Sequence, residues 1–312
     1  TEMDGYIYRA LTSGGKRLRP LLVCLAAGEA ADEDLVVRLM TSIELMHGAS
    51  LVHDDIVDRS PLRRSRATIN AEKGDGYAAL CGFRMIGAAL ELLRDVDDPE
   101  ILRVIADIPL EMSRGELRQI EVEFDPDLQT EADYYGRIER KTAKLIEGSL
   151  LVGARAAGAP DSVRDALSSY GRALGILFQL RDDLLDYEKA TEDGKPIFQD
   201  IERGLYSLPL LHAYANTAPG SAKRQRLQSL LKKHIKSEKE LRLLAEAAHS
   251  EGGVAATKIA IERYAEEATT ALSVLHQNAY TEALTIIADA FSGFEIKKGM
   301  KNDRSRNIAI AP

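Results

Sequence analysis

The amino-acid sequence predicts an all-α protein with a single domain. Apolar residues recur at spacings of three and four along most of the chain, which is the period of an amphipathic helix. One such run is Val36, Leu39, Met40, Ile43 and Met46. Alternating patterns rich in β-branched residues, which would predict strands, are nearly absent. No low-complexity linker divides the 312 residues, so one domain is favoured over two.

Glycine and proline residues mark the boundaries between the predicted helices. The breaks fall, in order, at Gly14-Gly15, Pro61, Gly74 to Gly76, Pro126, Gly158 to Pro160, Gly194 to Pro196 and Pro219-Gly220. Thr130 and Asp161 are predicted helix N-caps, because short polar side chains accept hydrogen bonds from the free amides of a helix start. The chain opens on Thr1-Glu2-Met3, and an additional helix before Thr1 is one expectation.

Composition limits the classes of function. The net charge of −8 without a basic tail argues against nucleic acid as a main partner. Cys24 and Cys81 lie in apolar runs without metal-type spacing, which predicts two buried thiols in a reduced, cytoplasmic protein. We find no uncharged apolar stretch long enough to span a bilayer and no signal sequence, so a transmembrane segment is not expected.

Two copies of one acidic pattern lie far apart in the chain, Asp54-Asp55-Ile56-Val57-Asp58 and Asp182-Asp183-Leu184-Leu185-Asp186. Both are embedded in helix-periodic apolar sequence, where clustered carboxylates repel one another and resist burial. Positions i and i+4 share a helix face, so each copy presents two carboxylates together and a third beside them. Two such faces pointing at one another predict an all-oxygen Mg²⁺ site that takes its remaining ligands from water and substrate phosphates.

Basic residues that suit phosphate groups accompany the acidic motifs. They occur in the segments Gly14 to Pro20, Pro61 to Arg64, Lys141-Thr142 and Gly194-Lys195-Pro196. A single acidic motif is more often a solvated helix face, and a single basic cluster is more often surface charge. Their occurrence together, with apolar residues flanking both acidic motifs, favours a site for diphosphate groups.

These motifs resemble those of the trans-isoprenyl diphosphate synthases, the polyprenyl synthetase family of head-to-tail prenyltransferases. The matching segments are GGKRLRP from Gly14, HGASLVHDDIVD from His47, GELRQIE from Gly115, KT at Lys141, FQLRDDLLD from Phe178 and GKPIFQD from Gly194. The resemblance implies helices around a deep central cavity in residues 1–294 and a homodimer, and the polar composition of the last residues predicts a loose tail at 295–312. It also implies that isopentenyl diphosphate is added to an allylic diphosphate with Mg²⁺, as three ions when substrate is bound.

Carried over position by position, the resemblance gives each candidate residue a role. Residues that match the Mg²⁺ ligands are Asp54, Asp55, Asp58, Asp182, Asp183 and Asp186. Residues that match the isopentenyl diphosphate contacts are Lys16, Arg19, His47 and Arg64. Residues that match the allylic diphosphate contacts are Arg63, Lys141, Thr142, Gln179 and Lys195. The predicted catalytic residues are Asp54, Asp58, Asp182, Lys141 and Arg63, because metals and fixed cations stabilise the charge that develops on departing pyrophosphate. His53 is better explained as a structural helix histidine.

Helix geometry predicts the product length. If Asp54 holds the allylic diphosphate, its hydrocarbon tail runs back along the same helix. One turn rises about 5.4 Å, close to one extended isoprene unit, so side chains here measure chain length. The predicted chain-length residues are Ala49 and Ser50, then Leu45 and Met46, and Phe83 from a neighbouring helix. Because Ala49 and Ser50 are small, we expect a product of about C20 or longer, with Met46 or Phe83 as the floor.

The chain departs from the family pattern at three positions. Leu205 replaces a phosphate-binding lysine, Phe83 replaces an aspartate after Gly82, and Ser65 replaces a glycine after the paired arginines. Arg181 and Arg203 are candidates to supply the missing charge. None of these departures removes a predicted metal ligand.

Two alternatives remain open from the sequence. A class I terpene cyclase also ionises an allylic diphosphate, but it would carry an Asn/Ser/Glu metal motif and would leave GGKRLRP and the paired arginines without a role. A non-catalytic or regulatory subunit of a heteromeric synthase is favoured by Leu205 and Phe83 and disfavoured by the intact acidic motifs.

Overall fold

Helices make up nearly all of the secondary structure in a computed structural model that describes residues 1–189 and 198–293. The helices are α1 (Glu2–Thr12), α2 (Leu18–Ala27), α3 (Glu33–Val57), α4 (Ile69–Lys73), α5 (Asp75–Glu91), α6 (Pro99–Val122), α7 (Glu131–Ile138), α8 (Lys144–Ala156), α9 (Asp161–Lys189), α10 (Gln199–Glu202), α11 (Leu208–Asn216), α12 (Ala222–Leu231), α13 (Glu238–Ser250), α14 (Gly253–Leu272) and α15 (Ala279–Ser292). A π-helical turn, Glu139–Ala143, joins α7 to α8, and strands β1 (Leu62–Arg63) and β2 (Arg66–Ala67) form an antiparallel hairpin. The all-α prediction is confirmed. The predicted break at Gly194 to Pro196, Lys195 and the tail at 295–312 lie outside the described residues.

Local sequence explains where the helices begin. Thr130 caps α7 as predicted, its side chain accepting a hydrogen bond from the amide of Asp133. Asp32 caps α3 in the same way through the amide of Leu35, at 2.9 Å. Asp161 is the first residue of α9, so the predicted cap was displaced by one position. Pro160 directly precedes it, and its ring favours the start of a helix.

The core consists of two hydrophobic clusters that share helix α8. Leu145 and Val152 pack with residues of α3, α5 and α6, whereas Ile146 and Leu150 pack with α9, α11 and α14. Helix α2 contacts α8 closely, because Gly153 has no side chain: a Cβ there would lie 2.3 Å from the carbonyl oxygen of Val23. One helix that is buried on two sides joins both halves of the molecule into a single unit.

One expectation from composition needs correction. Cys81 is buried, but Cys24 is exposed, because α2 presents part of its apolar sequence to the surface. Helix α3 is long and apolar enough by length and composition to cross a membrane, and half of its most apolar window is buried inside the molecule. This window contains Arg38 and Glu44, so it is not an uncharged apolar stretch.

Candidate active site

The first acidic motif ends helix α3, and two of its carboxylates share one face. Asp54 and Asp58 lie one turn apart and are both partly buried. Burial raises the pKa of Asp54 to about 6; Lys141 opposes this shift, and Glu116 and Asp58 add to it. In the described part of the chain, the Asp54 carboxylate forms no hydrogen bond or ion pair. A carboxylate in this position lacks the compensation that burial of charge requires, which suits an added cation.

Asp55 points away from this face. It is buried, and its Oδ1 accepts a 2.8 Å hydrogen bond from Nε of Arg63. Arg63 belongs to the β1–β2 hairpin, whose turn residues Arg64 and Ser65 have positive φ values of 50° and 61°. This contact joins the hairpin to the motif through Asp55, whose role as a metal ligand stays a prediction.

The π-helical turn contributes the next two site residues. Lys141 Nζ donates a 2.9 Å hydrogen bond to Gln119 and forms an ion pair with Glu116, both on α6. Thr142 Oγ1 donates at 3.1 Å to Gln179 on α9. A π turn contains an extra residue relative to an α turn and is frequent at functional sites. Here it directs two successive side chains to different neighbours, one towards the first motif and one towards the second.

The second acidic motif lies on α9 and divides in the same way as the first. Asp183 is buried, and its two oxygens accept hydrogen bonds from the hydroxyl of Tyr134 at 2.6 Å and from Gln179 Nε2 at 2.8 Å. Burial raises the pKa of Asp183 to about 7, and the two hydrogen bonds oppose the shift. Asp182 and Asp186 are exposed. Both oxygens of the buried Asp183 thus have hydrogen-bond partners, and the two other carboxylates of the motif lie at the surface of the helix.

A cluster of arginines surrounds His47, which lies about two turns before Asp54 on the same face of α3. Arg19 Nη1 lies 3.1 Å from His47 Nε2. Burial lowers the pKa of His47 to about 2, and the charge of Arg19 contributes, so the imidazole is neutral. Burial also lowers the pKa of Arg19, to about 10. Arg64 reaches back and donates to the carbonyl of Gly14. This concentration of cations is suited to an anion.

Glycine is required where Arg64 meets the loop between α1 and α2. A Cβ at Gly15 would lie 3.0 Å from the Arg64 guanidinium, and the φ of Gly15 is +117°. Lys16 follows in the loop; it is exposed and has no ion pair among the described residues. The predicted residues Arg19, His47 and Arg64 thus come from three segments that meet, and Lys16 lies next to the loop residues that Arg64 contacts.

Arg203, which the sequence analysis named as a candidate to supply the missing charge, also reaches the first motif. Arg203, directly after α10, forms an ion pair with Asp58 and lies 4.0 Å from Asp200 Oδ1. Leu205, at the position of the missing lysine, is buried. Arg181 instead pairs with Glu188 at 3.5 Å and packs beside Gly293, so it does not extend into the site.

The carboxylates fit Mg²⁺ as part of a shared coordination shell. Among residues 1–189 and 198–293, no three His, Cys, Asp or Glu side chains are close enough to hold a metal by themselves. The available donors are oxygens, and Asp54 has an uncompensated carboxylate. Mg²⁺ commonly binds to one or two carboxylates and takes its other ligands from water and substrate phosphates, so this donor set is suitable.

The predicted chain-length residues fall into two groups. Leu45, Met46 and Ala49 are buried inside the chain, and Ser50 is partly buried with its hydroxyl donating to the carbonyl of His47 at 2.8 Å. Phe83 is 65% exposed on α5, where its ring meets His53 edge-on at 6.0 Å. The expectation that Phe83 forms the tunnel floor is therefore wrong for the single chain, because its ring points outwards.

Sequence reasoning missed several residues that contact the predicted site. Glu116 and Gln119 engage Lys141, and Tyr134 holds Asp183. The segment GELRQIE contains the first two and could have suggested them, whereas Tyr134 has no distinguishing signal. A separate cavity of about 1090 Å³ is bordered by α8, α9, α14 and the π turn, with single residues from α6 and α7, and none of the predicted residues lines it.

Comparison with known proteins identifies a family and several relatives of this chain. A family model described as polyprenyl synthetase matches residues 2–248. The octaprenyl diphosphate synthase of Haemophilus influenzae is 36% identical over 279 residues, which are 88% of this chain and 83% of that protein. Component 2 of the heptaprenyl diphosphate synthase of Geobacillus stearothermophilus is 40% identical over 66% of this chain and 65% of that protein. A (2E,6E)-farnesyl diphosphate synthase of Mycobacterium bovis is 39% identical over 77% and 68%.

A solved structure extends the similarity to the fold. The decaprenyl diphosphate synthase of Rhodobacter capsulatus superimposes with a TM-score of 0.88 and 30% identity, covering 93% of this chain and 89% of that one. The family match spans most of the helices described above, including both acidic motifs and the π turn. This chain therefore belongs to the polyprenyl synthetase family, and it is a trans-prenyltransferase of the kind that uses isopentenyl diphosphate and an allylic diphosphate.

Proposed function

We propose that this chain extends an allylic diphosphate by head-to-tail addition of isopentenyl diphosphate, in a Mg²⁺-dependent reaction that yields a product of about C20 or longer. The observation that carries the proposal is the pair of neighbouring residues in the π turn. Lys141 is electrostatically coupled to Asp54 and Asp58, while Thr142 is hydrogen-bonded to Gln179 beside the second motif. One turn of helix thereby links the two acidic motifs.

The residues divide the two substrates between two pockets. Arg19, His47 and Arg64, with Lys16, hold the diphosphate of isopentenyl diphosphate. Lys141 and Arg63 with Thr142 and Gln179 face the allylic diphosphate; Lys195, outside the described residues, belongs to the same proposed set. Separate cation sets keep the two diphosphates apart and leave the reacting carbons between them, which lowers the entropic part of the barrier.

Bond breaking places new negative charge on the departing pyrophosphate. The allylic carbon–oxygen bond breaks, the double bond of isopentenyl diphosphate attacks the resulting cation, and a proton is then lost. Fixed cations such as Lys141 stabilise the charge on pyrophosphate without reorganising. Mg²⁺, held by Asp54, Asp58 and Asp182 with Asp186, would supply further positive charge to the diphosphate. The proton needs only a weak base, and pyrophosphate is adequate.

The proposed product length rests on the residues that precede Asp54. Ala49 and Ser50 are small, and Met46 is buried one turn deeper. The named relatives and the solved structure are farnesyl, heptaprenyl, octaprenyl and decaprenyl diphosphate synthases, so membership of the family leaves the length of this product to the local geometry. Met46 is flexible enough to form a yielding floor.

We also propose that two copies associate through α5 and α6 in the cytoplasm. Each helix exposes large apolar side chains along one face, namely Leu80, Phe83 and Leu90 on α5, and Leu102, Leu110, Leu117 and Ile120 on α6. Exposed apolar faces of this extent are typical of interfaces. The exposed position of Phe83, which does not line the tunnel of its own chain, is explained if this face packs against a second copy. Both cysteines are free thiols, which suits a reducing compartment. The Geobacillus stearothermophilus relative is named as a component of its enzyme. The alternative to a homodimer is therefore association with a different subunit.

The experiment is product analysis with the purified chain. Isopentenyl diphosphate, Mg²⁺ and a series of allylic diphosphates should give prenyl diphosphates of about C20 or longer by chromatography. Asp54→Ala and Asp182→Ala should each reduce the rate by about a hundredfold or more, because each removes a main electrostatic element. His53→Gln, next to the first motif, is the matched control and should retain activity. Undiminished turnover in EDTA, or cyclic hydrocarbons as products, would contradict the proposal.

A further inference from the structure

Arg203 occupies a position from which it can exchange one partner for another. Its guanidinium pairs with Asp58, one of the carboxylates proposed to bind Mg²⁺, and its side chain remains 28% exposed. Arg203 and Mg²⁺ therefore compete for one carboxylate, since Coulomb attraction to a dication exceeds attraction to a single positive charge at the same distance.

The backbone around Arg203 is fixed, so only the side chain is free to move. The carbonyl of Gly204 accepts hydrogen bonds from the amide of Phe124 at 2.9 Å and from Gln129 Nε2 at 2.8 Å. The amide of Leu205 donates to the carbonyl of Asp200 at 2.8 Å. Gly204 has a φ of +76°, and a Cβ there would lie 2.5 Å from the ring of Phe124. An anchored backbone with a long cationic side chain is suited to reaching a ligand over a short distance.

We propose that Arg203 neutralises Asp58 in the metal-free chain and moves to the allylic diphosphate when Mg²⁺ and substrate bind. This inference rests on the proposed function. An arginine can bind phosphate oxygens through two parallel N–H groups, so it keeps a charged partner after it leaves the carboxylate. Leu205 is buried and provides no charge, and Arg181 is directed towards Glu188. Arg203 is thus the arginine of this segment that reaches the first motif.

The proposal predicts opposite effects on two ligands, which titration calorimetry can separate without turnover. In the absence of substrate, Arg203→Gln should bind Mg²⁺ about threefold or more tightly, because the competing cation is gone. At saturating Mg²⁺ it should bind an allylic thiolodiphosphate, whose sulfur bridge slows ionisation, about tenfold or more weakly. Arg203→Lys should restore part of this affinity. Arg181→Gln is the matched control and should change both affinities by less than about twofold.

Each alternative result overturns a defined part of the reasoning. If Arg203→Gln binds the thiolodiphosphate as tightly as wild type, Arg203 does not move to the diphosphate. If Arg203→Gln binds Mg²⁺ more weakly than wild type, Arg203 does not compete with the metal and instead supports the shape of the first motif. Leu205→Lys in the Arg203→Gln background provides a second test, because a new cation from the same segment should recover affinity for the thiolodiphosphate. A wild-type chain that binds Mg²⁺ but no thiolodiphosphate would overturn the proposed function itself, whereas a defect confined to Arg203 variants would not.

Discussion

Asp54 should destabilise the metal-free protein at neutral pH, and Asp54→Asn should relieve that effect. Burial raises the pKa of Asp54 from 3.8 to about 6. Each pH unit of such a shift is worth about 1.4 kcal/mol, so the ionised carboxylate costs about 3 kcal/mol at most. Because the side chain is only partly buried and solvent screens its charge, we expect Asp54→Asn to raise the free energy of unfolding by about 1–2 kcal/mol at pH 7.5.

The sign of the pH dependence follows from the raised pKa. Between pH 3.8 and about 6 the folded state binds the proton more tightly than the unfolded state. Wild-type stability from this group therefore falls as the pH rises through that window, whereas an asparagine does not titrate. The advantage of Asp54→Asn should shrink at pH 4.5 to about one third of its value at pH 7.5.

Urea denaturation in EDTA at the two pH values is the appropriate assay. Asp165→Asn, at an exposed position of α9, is the control and should show a difference near zero at both. Added Mg²⁺ should stabilise the wild type and have less effect on Asp54→Asn, because binding to the folded state alone adds to its stability. A variant that is no more stable than wild type at pH 7.5, or one whose advantage is independent of pH, would refute the account of Asp54 as an uncompensated carboxylate.

Three further predictions follow from the same structure. His47 is neutral in the folded state, whereas in the unfolded state it takes up a proton below about pH 6.5. The free energy of unfolding of the wild type should therefore fall by about 1.4 kcal/mol per pH unit below that pH. Urea denaturation at pH 7.5 and 5.5 should show that His47→Gln lacks this loss. Ser50→Phe should shorten the main product and Met46→Ala should lengthen it, as read by chromatography, and an unchanged product from both would place the floor elsewhere. Ser65→Gly should raise thermal stability by about 0.5–1 kcal/mol, because a non-glycine residue at a φ of 61° is strained; an equal or lower melting temperature would contradict this.

Helical periodicity was sufficient to predict the class of fold, because apolar spacing reports directly which face of a helix is buried. The position of Thr130 as a cap followed from short-range chemistry for the same reason. Phe83 shows where this reasoning ends. It was predicted to form the tunnel floor, but its surroundings depend on what packs against α5, and within the described residues its ring lies beside His53 and is largely exposed. Cys24 was misjudged for the same reason.

The different partners of the carboxylates within each acidic motif could not be predicted from the sequence. The motifs showed that Asp54 and Asp58 share a face, as helix geometry requires. They did not show that Asp55 would pair with Arg63, or that Asp183 would be held by Tyr134. These partners come from segments whose approach depends on tertiary packing. Arg203 was recognisable only as a candidate charge, and its contact with Asp58 crosses 145 positions of sequence.

The π-helical turn makes the site sensitive to the number of residues in the chain as well as to their identity. The amide of Lys144 bonds to the carbonyl of Glu139, five residues back, where an α-helix would use a residue four back. Deleting one residue within 139–143 would restore regular α-helix and rotate everything before it by about 100° relative to α8. Lys141 and Thr142 would then no longer point towards the first and the second acidic motif at the same time. A single-residue deletion here should be more damaging than most substitutions at the same positions, so evolution of this segment is expected to proceed by exchange of side chains at constant length.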